Sequence, residues 1–415
     1  MNTTWRSLDR WCDEYGDGFF VLDTDAFAAN YDRFQGAFRD HYPRTTIGYS
    51  YKTNYLPPLG LAVQDRGGYA EVVSGMEYQL ARRLGVPAER IIFNGPHKPG
   101  YDLEPALRDG SICNLDAEHE IDVVEQVAAS HSGHPLLVGL RCNVDLGTGA
   151  VSRFGFDVDD PAFTRTVARI RGIDGCELAG LHLHVSTGDR SPGSYALRTK
   201  KLLAVTAAHF PDRPPRFVNV GGGYFGRMAP SLQAQFDVEI PDHRAYAAAI
   251  APQVRAEFGT EDGPELVVEP GTALTADVLR FVTRVVSAKR VRGRSVALVE
   301  GSVHNIKPTG HGKAVPMTLH RADRPHAGPD GPVDLVGYTC MEHDVLAEGI
   351  PGPVAVGDIA VFDNVGAYTL VMQPPFIRTA PPVVAVRADG TAELVRRRQT
   401  TEDLLAGFAL PGAPA

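Results

Sequence analysis

At six places in this chain of 415 residues, a short apolar run ends in residues able to bind or react. Lys52 and Asn54 close TTIGYSYKTN, Ser74 follows YAEVV, and Arg141 and Asn143 end LLVGLRCNV. His182, His184 and Thr187 lie in LAGLHLHVST, Gly221, Gly222 and Gly223 follow RFVNV, and Glu269 ends ELVVE. A lysine taken out of water at the end of an apolar strand loses basicity, which makes its amine a nucleophile toward an aldehyde. Three glycines let the backbone approach a ligand closely and aim N–H groups at it, as a phosphate requires. A carboxylate such as Glu269, set against the nitrogen of a pyridine-type ring, keeps that nitrogen protonated and makes the ring an electron sink. A histidine such as His184 can stack on the same ring. Further along, Cys340 sits in GYTCMEHD, where Glu342 and Asp344 favour the neutral thiol, a proton donor. Tyr368 lies in NVGAYT. Taken singly, each has an ordinary explanation: a solvated lysine, an ion-paired glutamate, a core histidine, an inert cysteine, a plain aromatic. The chemistry requires the fold to bring them together.

The elements that would do so are eight apolar runs: 45–53, 69–74, 90–96, 111–117, 136–144, 178–186, 216–223 and 265–271. Helix-like stretches separate them. GMEYQLARRLG (75–85) has apolar residues at helical spacing and a closing glycine, and EHEIDVVEQVAAS (118–130) and DPAFTRTVARIRG (160–172) read the same way. Fully apolar strands alternating with helices imply a parallel sheet covered on both faces. Eight such units close as a (β/α)8 TIM-like barrel, of about 250 residues, with active groups at the C-terminal strand ends and phosphate at the loops after the seventh and eighth strands. The expected barrel spans 30–275. After it, 278–302, 331–340, 358–371 and 381–398 read as strands joined by turns, with a hairpin signal at Asp389-Gly390. These, with a strand in GFFVLDTDAFAAN, predict a mostly antiparallel β domain made of 1–29 and 276–415. HRADRPHAGPDGP (320–332) reads as an exposed loop.

Composition narrows the classes. Hydrophobic residues make up 43% and charged residues 22%, as in globular proteins. A net charge of −9 speaks against a general nucleic-acid binder. Cys12, Cys113, Cys142, Cys176 and Cys340 are widely spaced, with no zinc-type or other metal-ligand spacing, and read as reduced thiols in a cytoplasm. The opening MNTTWRSLDRWCDEYG has no apolar signal core, and no run approaches the roughly 20 apolar residues of a membrane span.

Jointly these motifs resemble the fold-type III pyridoxal-5′-phosphate (PLP) dependent decarboxylases, the family of ornithine, arginine and diaminopimelate decarboxylases, which shares its barrel with alanine racemase. The resemblance runs from about 20 to 410. YSYKTN is similar to the cofactor-lysine segment, making Lys52 the Schiff-base residue, and EVVSGMEYQLARRLGVPAERIIFNGPHK to the segment after the second strand. GLHLHVST implies that His184 stacks on the ring and Thr187 lies near the phosphate; VGGGY implies the phosphate loop, and EPG implies that Glu269 pairs with the pyridine nitrogen. TCMEHD implies that Cys340 reprotonates the α-carbon across a dimer interface, and GAYT implies that Tyr368 approaches the phosphate. The implied assembly is a homodimer with shared active sites.

The departures bear on substrate. Family members usually read EPGR; here Thr272 follows Glu-Pro-Gly. Met341 stands where a carboxylate usually meets a distal amine, with Glu342 one step on, and NIKPTGH replaces the segment that takes a distal carboxylate, bringing Lys307 and His311. GSVHNIKPT with TCME resembles the branch found in siderophore and other natural-product biosynthesis. The expected activity is decarboxylation of an amino acid or a carboxylate-bearing amino-acid conjugate, with Lys307 pairing with the carboxylate and His311, Met341, Glu342 and Asp344 lining the substrate. The alternatives are a diaminopimelate, ornithine or lysine decarboxylase, or a racemase on the same scaffold. Glu269 argues against a racemase, which carries arginine at the ring nitrogen.

Overall fold

The computed structural model describes residues 4–149, 151–185, 188–322, 328–329, 331–387 and 389–409. Thr187 and part of the expected loop 320–332 lie outside them. The chain forms two units. One comprises Ala28–Gly226 and Glu239–Leu274, the other Met1–Phe27, Arg227–Val238 and Thr275–Ala415.

Strand β1 (Gly18–Asp23) belongs to the second unit. The first is built on β2 (Thr45–Ser50), β3 (Tyr69–Val72), β4 (Ile91–Phe93), β5 (Ile112–Leu115), β6 (Leu136–Asn143), the short β7 (Phe156–Asp157), β8 (Cys176–His182), β9 (Phe217–Gly222) and β10 (Glu265–Glu269). β7 pairs with β6 alone. The other eight, one in each expected apolar run, are parallel throughout and close into a barrel where β10 meets β2, Val267 opposite Thr46. Inside it Tyr69, Ile92, Ile112, Ala179, Phe217 and Val267 form one buried cluster, with Leu137 against it. Seven strands thus fill the barrel with side chains, as a packed core requires. Phe217 fits because two facing positions are glycine. A Cβ at Gly180 would stand 2.4 Å from the Phe217 carbonyl oxygen, and one at Gly139 would stand 2.9 Å from its ring.

The helices start where the sequence supplies caps. Ser74 accepts from the Glu77 N–H at the head of Gly75–Arg83, and Asp160 accepts from the Ala162 N–H at the head of Pro161–Arg171. The second helix buries Phe163, Thr166, Val167 and Ile170, one face at helical spacing. Glu118–Ala128 buries Ile121, Val124 and Val127 likewise. Ser74 is therefore a capping residue.

The second unit continues with β11 (Leu279–Val291), β12 (Arg294–Val299), β13 (Met317–His320), β14 (Val333–Val336), β15 (Val345–Ile350), β16 (Ile359–Phe362), β17 (Val383–Val386) and β18 (Ala392–Arg396). Its sheet runs β15-β14-β12-β11-β1-β17-β18, with β16 on β11 and β13 on β16. Pairing is antiparallel except between β1 and β17 and between β12 and β14. The hairpin β17–β18 turns at Asp389, which accepts from the Thr391 N–H at 2.9 Å, and Gly390, at φ +83°. Three features were not expected from sequence. A helix, Trp5–Tyr15, packs Leu8 and Cys12 onto Phe19, Val21, Val282 and Val384, and Arg284 holds it through Asp9. Residues 227–238, expected in the barrel, belong instead to the β unit, tied there by Gln235 Nε2 to the Ala314 carbonyl at 3.0 Å. In the run 358–371, read as strand, the strand ends at Phe362; Asn364 and Tyr368 take left-handed φ of 59° and 63°, which no strand permits, and Thr369–Met372 is helical.

Gly180→Ala should lower the thermal unfolding midpoint, because overpacking a filled core costs about 1–3 kcal/mol. An unchanged midpoint would mean that Phe217 can yield.

Candidate active site

Among the described residues, those expected to act on the barrel stand at the C-terminal ends of its strands. Lys52 lies in a short 3₁₀ turn, Tyr51–Thr53, directly after β2. Its Nζ donates to Glu71 Oε2, from β3. Glu71 Oε1 accepts from Asn94 Nδ2 at 3.0 Å, just past β4. The same nitrogen donates to Glu269 Oε1 at 2.7 Å, at the end of β10, and that oxygen also accepts from Asn219 Nδ2 of β9 at 2.7 Å. Glu269 Oε2 faces His182 Nε2 at 3.4 Å. Glu71 and Glu269 are buried, so each carboxylate needs these donors. Burial pushes the Glu269 carboxyl up, but the His182 charge and hydrogen bond, with Lys52, outweigh it and hold Glu269 below the usual carboxylate range.

The glycine run follows β9. Gly221 and Gly223 have φ of +70° and +97°, and a Cβ on Gly222 would come 2.1 Å from the Glu269 carbonyl oxygen. Only glycine fits there. The loop is braced from three sides: Asn219 Oδ1 accepts from the Gly221 N–H at 2.9 Å, Tyr195 Oη donates to the Gly222 carbonyl at 2.9 Å, and the Gly222 N–H donates to His184 Nδ1 at 2.9 Å. That last bond requires an unprotonated Nδ1. Burial, then Lys52, pulls the His184 pKa well below its ordinary value, so its ring is neutral. Arg141 Nη2 donates to the His184 carbonyl at 3.0 Å, and its Nη1 to Asp116 at 3.1 Å. Asn143 Nδ2 donates to the Ser152 and Phe154 carbonyls, and Asn54 Oδ1 accepts from the Leu56 N–H. Glu71, Asn94 and Asn219 were missed in the sequence. Their signal was a polar residue within or ending a strand buried on both faces.

In the β unit, Cys340 is exposed and lies in the loop after β14 with Met341 and the exposed Glu342. Asp344 departs from its expected place among substrate contacts. It is buried, and its oxygens accept from Val303 N–H at 2.7 Å, Thr339 N–H at 3.1 Å and Thr339 Oγ1 at 2.6 Å. It shapes the loop instead, tying the Cys340 segment to the turn that carries Lys307 and leads to the exposed His311. Tyr368 is exposed, as are Met372, Phe376 and Ile377. Among the described residues no group of three or more His, Cys, Asp or Glu side chains could hold a metal ion, and no helix is long and apolar enough to cross a membrane.

Residues 28–276 match the family model described as "Pyridoxal-dependent decarboxylase, pyridoxal binding domain". A diaminopimelate decarboxylase of Actinosynnema pretiosum subsp. auranticum is 31% identical over 89% of this chain and 84% of its own length. An L-glutamyl-[BtrI acyl-carrier protein] decarboxylase of Niallia circulans is 25% identical over 94% of this chain and 92% of its own. The crystal structure of a diaminopimelate decarboxylase from M. jannaschi has the same fold, with a TM-score of 0.85, 21% identity, and coverage of 97% of this chain and 94% of that one. The chain therefore belongs to the pyridoxal-dependent decarboxylase family and is a PLP-dependent amino-acid decarboxylase, a lyase with an alanine racemase-like fold.

Proposed function

We propose that Lys52 holds PLP through its amine, with Glu71 orienting that amine, Gly221–Gly223 and Thr187 receiving the phosphate, His184 stacking on the ring and Glu269 meeting the ring nitrogen. The residues present fit the group. The glycine cradle leaves no room for a side chain at Gly222, and Glu269 is an anion at the position that needs one. Around it the buried Nδ1 of His182 and Nε of Arg141 have no hydrogen-bond partner. When bound, PLP supplies the sink for the electron pair left on the α-carbon as CO₂ departs.

A second copy of the chain brings Cys340, which returns a proton to that carbon, and Tyr368, which approaches the phosphate. The exposed apolar run from Tyr368 through Met372, Phe376 and Ile377 supports a homodimer, since such patches mark contact surfaces. We infer a cytoplasmic enzyme from its free cysteines.

The substrate we propose is an amino acid or amino-acid conjugate bearing a further carboxylate, in siderophore or other natural-product biosynthesis. One observation carries this: buried Asp344 fastens the loop of Cys340 to the turn of Lys307, so the proton donor and a cation travel together. Lys307 and His311 would take the extra carboxylate, with Met341 and Glu342 beside it. The carrier-protein decarboxylase relative supports this reading. Diaminopimelate decarboxylation is the second reading, favoured by the relative at 31% identity.

Measuring CO₂ release from diaminopimelate, ornithine, lysine, arginine and citryl-type amino-acid conjugates separates the two readings. Turnover of a conjugate is expected, and turnover of diaminopimelate alone refutes it. Lys52→Ala should abolish both the visible imine band of the loaded protein and its activity; a retained band ends the assignment of that lysine. Cys340→Ala should slow or misdirect protonation, seen in deuterium placement at the product carbon. Unchanged rate and stereochemistry would remove the thiol from the reaction.

A further inference from the structure

Asn94 has no role in the scheme above, yet it lies between the two carboxylates of the site. Its Nδ2 donates to Glu71 at 3.0 Å and to Glu269 at 2.7 Å, while its Oδ1 accepts from Asn114 Nδ2 at 2.8 Å. The orientation is forced: ionised carboxylates only accept, so the amide turns its NH₂ to both and its oxygen to Asn114. All four acidic and amide side chains are buried. Two carboxylate oxygens that share one nitrogen stand within two hydrogen-bond lengths of each other. A like charge that near makes a buried carboxyl hold its proton more tightly.

The groups facing the pair divide unevenly. Lys52 pairs with Glu71, and His182, with Asn219, serves Glu269. His184, which Lys52, Glu269 and Arg141 all influence, is neutral. Glu77, its carboxyl pushed up to about 7 chiefly by burial, stands near Glu71 and Lys52 and adds negative charge when ionised. Asn94 contacts both carboxylates with one donor nitrogen.

We propose that Asn94 is a positioning residue: by giving one hydrogen to each, it lets Glu71 and Glu269 stand side by side as anions, one against the cofactor amine and the other against the ring nitrogen. The functional meaning rests on the assignment of Lys52 and Glu269 above. The charge arrangement itself belongs to the protein without cofactor. Removing the donor makes one carboxylate take up a proton, which weakens either the hold on the amine or the hold on the ring.

Infrared difference spectra of cofactor-free protein at neutral pH, with carbon-13-labelled glutamate, test this. In a Glu77→Gln background, which removes the other carboxyl pushed up to about 7, Asn94→Leu, of similar volume and with no donor, should gain a protonated-carboxyl band that moves with the label and is absent from Glu77→Gln alone. Glu71→Gln in the Asn94→Leu background leaves one carboxylate and should abolish the band. A folded Asn94→Leu protein without the band, or a band that survives Glu71→Gln, overturns the proposal. Should leucine block folding, Asn94→Ser offers one donor to two acceptors and is read the same way. Failure of wild-type protein to form an imine band with added PLP would defeat the assignment of Lys52 while leaving the carboxylate result to stand alone.

Discussion

The constraint on which this site depends is the burial of charge at the mouth of a packed barrel. Glu71 and Glu269 are 0% and 3% exposed. Leaving such a carboxylate without its partners costs about 3–5 kcal/mol, a large share of a protein's net stability. The donors that prevent this come from separate strands: Lys52 after β2, Asn94 after β4, His182 on β8 and Asn219 on β9. None of them can be moved alone. Asn219 serves Glu269 and also holds the Gly221 N–H, so that carboxylate and the glycine loop share one brace. Pre-set polarity of this kind lets a site stabilise charge without rearranging during reaction.

The β unit applies the same principle to a loop. Asp344 spends its carboxylate on three donors from two segments, and that fixes the relation of the Cys340 loop to the turn before Lys307. Gly337 completes the arrangement, because a Cβ there would stand 2.2 Å from the Asp344 carboxylate. Rigid support beneath an exposed thiol fixes its reach and direction, which the proton transfer proposed for Cys340 requires.

Much of this was legible in the sequence. Strands buried on both faces read as unbroken apolar runs, so the eight barrel strands stood out. Lys52, Glu269 and the three glycines were visible because they end such runs. Glu71, Asn94 and Asn219 were not picked out, although a polar residue inside YAEVV, after IIF or within FVNV must find a partner. Which partner it finds depends on neighbours far away in the chain, and that needs the closed barrel. Asp344 was misjudged for the same reason: nothing local distinguishes a buried acid from the exposed Glu342 two positions earlier. The break after Phe362 was hidden because apolar content continues through 358–371 while the backbone at Asn364 and Tyr368 turns left-handed.

The placement of β1 bears on how the polypeptide is made. It is made before every barrel strand, yet its neighbours β11 and β17 come from the far side of the barrel segment. The barrel strands can pair as they emerge, one after another. β1, with Phe19, Phe20 and Leu22, waits with its ladder open until β11 and β17 follow. Nascent chains of this topology therefore carry an apolar edge while the whole barrel is made, a natural point for chaperone capture and for strand exchange between growing copies.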